Sequence, residues 1–143
     1  MIGGFFLMDD AKLIASAAKA RKAAYAPYSK FKVGAALLAA NGRVFTGCNV
    51  ENASYGVACC AERTALFKAV SEGVKKFKKL AIVADYPKPC SPCGICRQAL
   101  SEFAPELIII MANTRGNSET MPLSALLPKA FHGKSLIRRL KHK

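Results

Sequence analysis

Two short stretches limit what this chain can become: Cys60-Ala61-Glu62-Arg63 and Ser91-Pro92-Cys93-Gly94-Ile95-Cys96. Each opens a segment with helical character, Cys60 to Val70 in one case and Cys93 to about Phe103 in the other. Residues three apart on a helix share a face, so Cys93 and Cys96 can reach one ion. Three thiolates leave the fourth position of a tetrahedral zinc open, the arrangement of a catalytic rather than a structural site. Glu62 is then the nearby acid that can move protons to and from an activated water. Three thiolates also concentrate negative charge. The positive ends of two helices offset it, and Arg63 can donate hydrogen bonds to thiolate sulfur.

The flanking sequence places these motifs in an alternating pattern. Asp9-Asp10 caps a helix predicted to run to about Ala24, ahead of Pro27. Lys32 to Ala40 and Arg43 to Cys48 are β-like on either side of Asn41-Gly42, a strong hairpin signal. Asn49 to Ala58 reads as a polar loop, and Gly73 as the left-handed cap of the Cys60 helix. Leu80 to Ala84 and Leu107 to Met111 are short apolar strands, Glu119 to Leu123 an edge strand, and Ser124 to Leu127 one helical turn. Strands alternating with helices imply an α/β sandwich on a mixed sheet.

A length of 143 residues suits one domain, spanning 1–143, with a core that needs no disulfides. Residues 1–8 read as an extension, Met8 being an alternative start, and 132–143 as a basic tail. No apolar run nears the roughly 20 residues of a membrane span, and the first seven residues make no convincing signal peptide. That points to the cytoplasm, where six cysteines favour metal ligation over disulfides. The net charge of +13 is spread over Lys75-Lys76, Lys78-Lys79 and the tail. Without interleaved aromatics it does not favour nucleic acid as partner.

The motifs together, with Asn49-Val50-Glu51-Asn52-Ala53-Ser54-Tyr55 and the run Cys60 to Leu66, resemble the small, homotetrameric, zinc-dependent cytidine deaminases. The similarity runs from about Ala24 to Phe131. It implies a three-layer α/β/α sandwich with a five-stranded mixed sheet and one zinc per subunit, held by Cys60, Cys93 and Cys96. It also implies hydrolysis of cytidine and deoxycytidine to uridine and deoxyuridine, releasing ammonia, within pyrimidine salvage. On the same resemblance Glu62 carries protons from water to ring N3 and then to the leaving amine. The amide of Ala61 and the carbonyl of Ser91 hold the cytosine edge, Asn49 and Glu51 bind the sugar 3′-hydroxyl, and Phe31 packs on the base. Tyr55 and Phe131 would complete neighbouring subunits' sites, so active centres are expected to be shared in a homotetramer.

Other readings of the same residues exist. Asn49 and Glu51 are also ordinary loop formers, and Phe31, Tyr55 and Phe131 ordinary core or interface aromatics. Cys48 reads as a small buried hydrophobe. Cys90 extends the pair to C-x-x-C-x-x-C, an iron–sulfur-like run that lacks its fourth cysteine and proline. His132 and His142 read as solvated. Deamination of a cytosine-bearing antibiotic or of a polynucleotide would use the same motif, and a structural zinc would need Cys59 or Cys90 as a fourth ligand.

Overall fold

The computed structural model describes residues 8–134, 136 and 137. The extension before Met8 and the end of the basic tail, with His142, therefore lie outside the described residues. Helix α1 spans Asp10–Arg21, and the Asp9 carboxylate caps it by accepting the Lys12 amide at 2.8 Å. It stops short of the expected Ala24. The amides of Lys22, Ala23 and Ala24 reach back only three residues, to Lys19, Ala20 and Arg21, a tightening that ends the helix.

Strands β1 (Val33–Ala39) and β2 (Val44–Cys48) form the expected hairpin, with Gly42 at a φ of +92° in its turn. Helix α2 covers Ala61–Ser71 and closes in a Schellman arrangement. The Gly73 amide bonds Val70 and the Val74 amide bonds Ala69, which the left-handed Gly73 permits. Strand β3 (Phe77–Ala84) starts three residues before the expected Leu80, because Phe77 and Lys79 still pair with the end of β1. Helix α3 (Gly94–Phe103), strands β4 (Ile108–Asn113) and β5 (Ser118–Pro122), and the single turn α4 (Leu123–Leu126) complete the described elements.

The sheet runs β2-β1-β3-β4-β5 and is mixed: β3 and β4 are parallel, joined through α3, and the other neighbours are antiparallel. Helix α1 covers one face, where Leu13 and Ala17 meet Ala36, Leu38, Ala81, Val83 and Ile110. Helices α2 and α3 cover the other, where Leu66 and Leu100 meet Leu37, Leu80, Ile82 and Ile109. The five strands between two helical layers are the expected α/β/α sandwich. Strand β1 lies between both layers and is buried at every position.

Its sequence, Val-Gly-Ala-Ala-Leu-Leu-Ala, is small where a helix comes close. A Cβ on Gly34 would stand 2.0 Å from the Ala17 carbonyl oxygen. Across the sheet, a Cβ on Gly47 of β2 would stand 2.5 Å from the Ala61 carbonyl and 2.6 Å from the Ala65 amide nitrogen. Gly47 thus lets the first turn of α2 press directly on β2. The carboxyl end of β3 leads into the loop that starts α3, so the N-termini of α2 and α3 meet at that edge, where open α/β sheets place their ligands.

Candidate active site

Cys60 and Cys93 are the N-cap residues of α2 and α3. Neither side chain caps its helix. The first helical hydrogen bonds come from Thr64 to Cys60 and from Arg97 to Cys93, both at 3.0 Å. The amides before them make no such bonds, leaving two positive helix ends beside the sulfurs. Cys96, one turn into α3, is buried. The sulfurs of Cys60, Cys93 and Cys96 all lie within 4.8 Å of one another. Cys60 is 3.7 Å from Cys93, and Cys93 3.4 Å from Cys96. Among the described residues neither Cys59 nor Cys90 joins this group. Cys59 is engaged with the Cys60 carbonyl and the Thr64 hydroxyl. Burial pushes the Cys90 thiol up to about 12.

The donor set fits zinc, whose tetrahedral sites take soft thiolates. A hydrogen bond from the Cys96 thiol, reinforced by Arg63 and Cys93, lowers the Cys60 thiol to about 5 against the opposing effect of burial. The bond to Cys60 and then burial push Cys96 up. The Arg63 guanidinium donates to Cys60 Sγ at 3.5 Å, and that bond strengthens its hold on its proton. Its Nε is buried with no acceptor among the described residues. A cation bonded to Cys60 Sγ, beside Cys96, offsets the negative charge that thiolate ligands bring.

Glu62 follows on the first turn of α2, only 4% exposed. Burial, aided by the charge of Cys60, raises its carboxyl to about 7, opposed by its own amide and by Arg63. A buried acid near neutrality can both accept and return a proton at working pH.

A cleft of about 260 Å³ joins Cys60, Ala61, Glu62, Ser91 and Cys93 to Phe31, Asn49 and Glu51. Eight of the twelve site residues singled out in the sequence thus line it, and Cys96, Arg63, Tyr55 and Phe131 do not. Ser29, Val33 and Cys90 also line it; nothing in the sequence marks Ser29 or Val33 as site residues, and Cys90 stood out only as the first cysteine of the C-x-x-C-x-x-C run. Asn49 is strapped to the lead-in of β1: its Nδ2 donates to the Phe31 carbonyl at 2.7 Å and its Oδ1 accepts from the Val33 amide at 2.8 Å. Glu51 Oε1 accepts from the amides of Tyr28 (3.0 Å) and Ser29 (3.1 Å), while Oε2 accepts from the Ser29 hydroxyl. The Ser29 hydroxyl, followed by these amides, holds the Glu51 carboxyl below the usual carboxylate range. Phe31 stands edge-on to Tyr86 at 6.1 Å.

Tyr55 and Phe131 lie outside this cleft, 80% and 68% exposed. Cys48 is half-buried rather than buried, and His132 is exposed as expected. Nothing in the sequence marks Arg97, yet it fixes the Ser91 loop. It bonds the Pro92 carbonyl and the Ser91 hydroxyl at 2.8 Å, and the Leu126 carbonyl at 2.7 Å. No described residue donates to the Ser91 carbonyl. A lone arginine after a ligand cysteine carries no signal of such a role.

Fold and site together define a zinc-dependent hydrolytic deaminase. Residues 7–112 match the cytidine and deoxycytidylate deaminase zinc-binding region. Over 130 residues the chain is 53% identical to a cytidine deaminase of Sporosarcina psychrophila, covering 90% of this chain and 96% of that one. It is 50% identical to one from Halalkalibacterium halodurans, covering 87% and 95%. Among solved structures, the cytidine deaminase of Burkholderia pseudomallei superposes with a TM-score of 0.85 at 49% identity, over 87% of this chain and all 100% of that one. That of Mycobacterium tuberculosis gives 0.75 at 42%, covering 87% and 98%. The chain belongs to the cytidine and deoxycytidylate deaminase family.

Proposed function

We propose that this enzyme converts cytidine and deoxycytidine to uridine and deoxyuridine with release of ammonia, in the salvage of pyrimidines in the cytoplasm. The observation that carries this is Glu62, buried and raised to about 7 beside the three sulfurs, at one end of a cleft whose other end holds Asn49 and Glu51. Zinc, held by Cys60, Cys93 and Cys96, supplies the Lewis acidity that makes water nucleophilic near neutral pH.

Glu62 takes a proton from the attacking water and delivers it to ring N3. It then carries the second proton to the amino group, which departs as ammonia. The Ala61 amide donates to the base edge, and the free Ser91 carbonyl accepts from the amino group. Phe31 packs on the ring. Arg63 steadies the thiolates through Cys60 Sγ.

The hydrogen-bond inventory at the far end supports a substrate read at a single hydroxyl. Asn49 has one amide hydrogen left after bonding Phe31, and Glu51 has one good acceptor direction left on Oε2. One hydroxyl, donating to Glu51 and accepting from Asn49, satisfies both. We assign it to the sugar 3′-position, which leaves the 2′-position unread and accommodates ribose and deoxyribose alike. The exposed Tyr55 and Phe131 suit completion of the cleft in a neighbouring copy, within a homotetramer of single-domain subunits.

The deciding experiment is ammonia release from cytidine and deoxycytidine, with bound zinc quantified, beside Glu62→Ala. Turnover by the wild type, and near-total loss in the variant with zinc retained, is expected. Zinc without turnover on either nucleoside would overturn the substrate assignment.

A further inference from the structure

Glu51 does not hold its orientation alone. Three of its hydrogen bonds come from two adjacent residues, Tyr28 and Ser29, and the carboxylate oxygen nearest an open acceptor direction is bound by the Ser29 hydroxyl. That hydroxyl in turn accepts the Phe31 amide at 3.0 Å. Its direction is fixed: a carboxylate cannot donate and an amide N–H cannot accept, so the hydroxyl proton must point at Glu51.

The segment that carries it is itself held in an uncommon shape. Lys30 sits at a φ of +62°, a left-handed conformation that costs free energy in a non-glycine residue. It is fastened by the Lys30 amide on the Ala26 carbonyl at 3.0 Å, by Arg21 Nε on the Lys32 carbonyl at 3.1 Å, and by Asn49 on Phe31. The turn brings Tyr28 N, Ser29 N and Ser29 Oγ onto one carboxylate. Ser29 and Glu51 also stand between the cleft and a second hollow of about 360 Å³, lined by Tyr28, Asn52 and Tyr55. An unrestrained Glu51 could turn from one into the other.

We infer that Ser29 is a positioning residue for the sugar end of the site: its hydroxyl, oriented by the Phe31 amide, locks Glu51 so that one acceptor direction faces the cleft. Ser29 binds no substrate atom and acts through Glu51. The inference rests on the reading of Glu51 as the ligand of the 3′-hydroxyl.

The test measures kcat and KM for cytidine and for 3′-deoxycytidine in Ser29→Ala, Ser29→Thr, Glu51→Ala and the double variant Ser29→Ala/Glu51→Ala. Ser29→Ala should raise KM for cytidine about tenfold, the usual worth of one hydrogen bond to a charged group. Its kcat on cytidine and its KM for 3′-deoxycytidine should stay near the wild type. Ser29→Thr, which keeps the hydroxyl, should restore most of the affinity. In the Glu51→Ala background, removing the Ser29 hydroxyl should add little. Ser29→Cys, close in size but a weaker donor, serves if the alanine variant does not fold.

Equal losses on both substrates, or full additivity with Glu51→Ala, would overturn the positioning role and leave Ser29 a structural serine. A Glu51→Ala variant that still prefers cytidine over 3′-deoxycytidine as the wild type does would overturn the sugar-binding reading, and this inference with it. Loss of that preference in Glu51→Ala but not in Ser29→Ala would overturn the inference alone.

Discussion

The charge on the three sulfurs makes Arg63 the side chain whose loss is most informative. Its guanidinium is the cation bonded to Cys60 Sγ, and methionine keeps its bulk without its charge. Arg63→Met should weaken zinc binding by about 10- to 100-fold, measured by competition with a chromophoric chelator, with circular dichroism unchanged. Glu51 gives a different kind of signal. Its folded carboxyl is held below the ordinary 4.5, so the stability it contributes is present above 4.5 and is lost as pH falls through the lower folded value. Thermal melts between pH 6 and the acid limit should therefore show the wild type losing its advantage over Glu51→Gln below about 4.5. A difference between the two that stays constant with pH would contradict this. The grouping of Cys60, Cys93 and Cys96 beside Glu62 was legible in the sequence because their spacing along two helix starts is itself the constraint. Ser29 and Arg97 were not, because their partners Glu51 and Leu126 lie 22 and 29 residues away and only folding brings them together.

At the scale of elements, the site depends on how closely α2 lies on β2. Gly47 makes that approach possible, and a methyl there would meet backbone atoms of Ala61 and Ala65 that no rotamer change can move. Gly47→Ala should destabilise the fold by about 1–3 kcal/mol or more, and it should also displace the α2 N-terminus that carries Cys60 and Glu62. Denaturant melts and zinc content measured on one preparation would test this. A stable variant with full zinc would show that the close approach is dispensable. The strands and helices were legible from periodicity and from their caps, down to Gly42 and Gly73. Their ends were less so. The charged Lys78 and Lys79 hid the start of β3, whose pairing with β1 is a tertiary matter, and nothing local told the last turn of α1 from the tighter turns after it.

At the scale of the molecule, exposed aromatics and a shared-site reading make a joint prediction. If Phe131 completes the cleft of a neighbouring copy, then Phe131→Ala and Glu62→Ala damage different parts of a composite centre. Co-refolding the two weakly active variants should regenerate activity through mixed assemblies that contain intact centres, whereas each alone stays low. Ammonia release plotted against mixing ratio would show it, and a straight line between the two parents would argue for self-contained subunits. The Lys75-to-Lys79 cluster flanks the start of β3, at the opposite end of that strand from the edge where the cysteines meet.

One feature of the centre reaches beyond catalysis. The two sulfurs of Cys60 and Cys93 belong to residues 33 positions apart, on different helices. A metal that grips both binds the folded chain far better than the unfolded one, and so acts as a thermodynamic ligand of folding. At free zinc 100 times the dissociation constant the gain is about 2.7 kcal/mol, a large share of an ordinary domain's stability. Metal scarcity would then act on abundance as well as on turnover. A cell short of zinc would hold fewer surviving copies of the enzyme, because the chains that fail to capture the ion spend more time open to degradation.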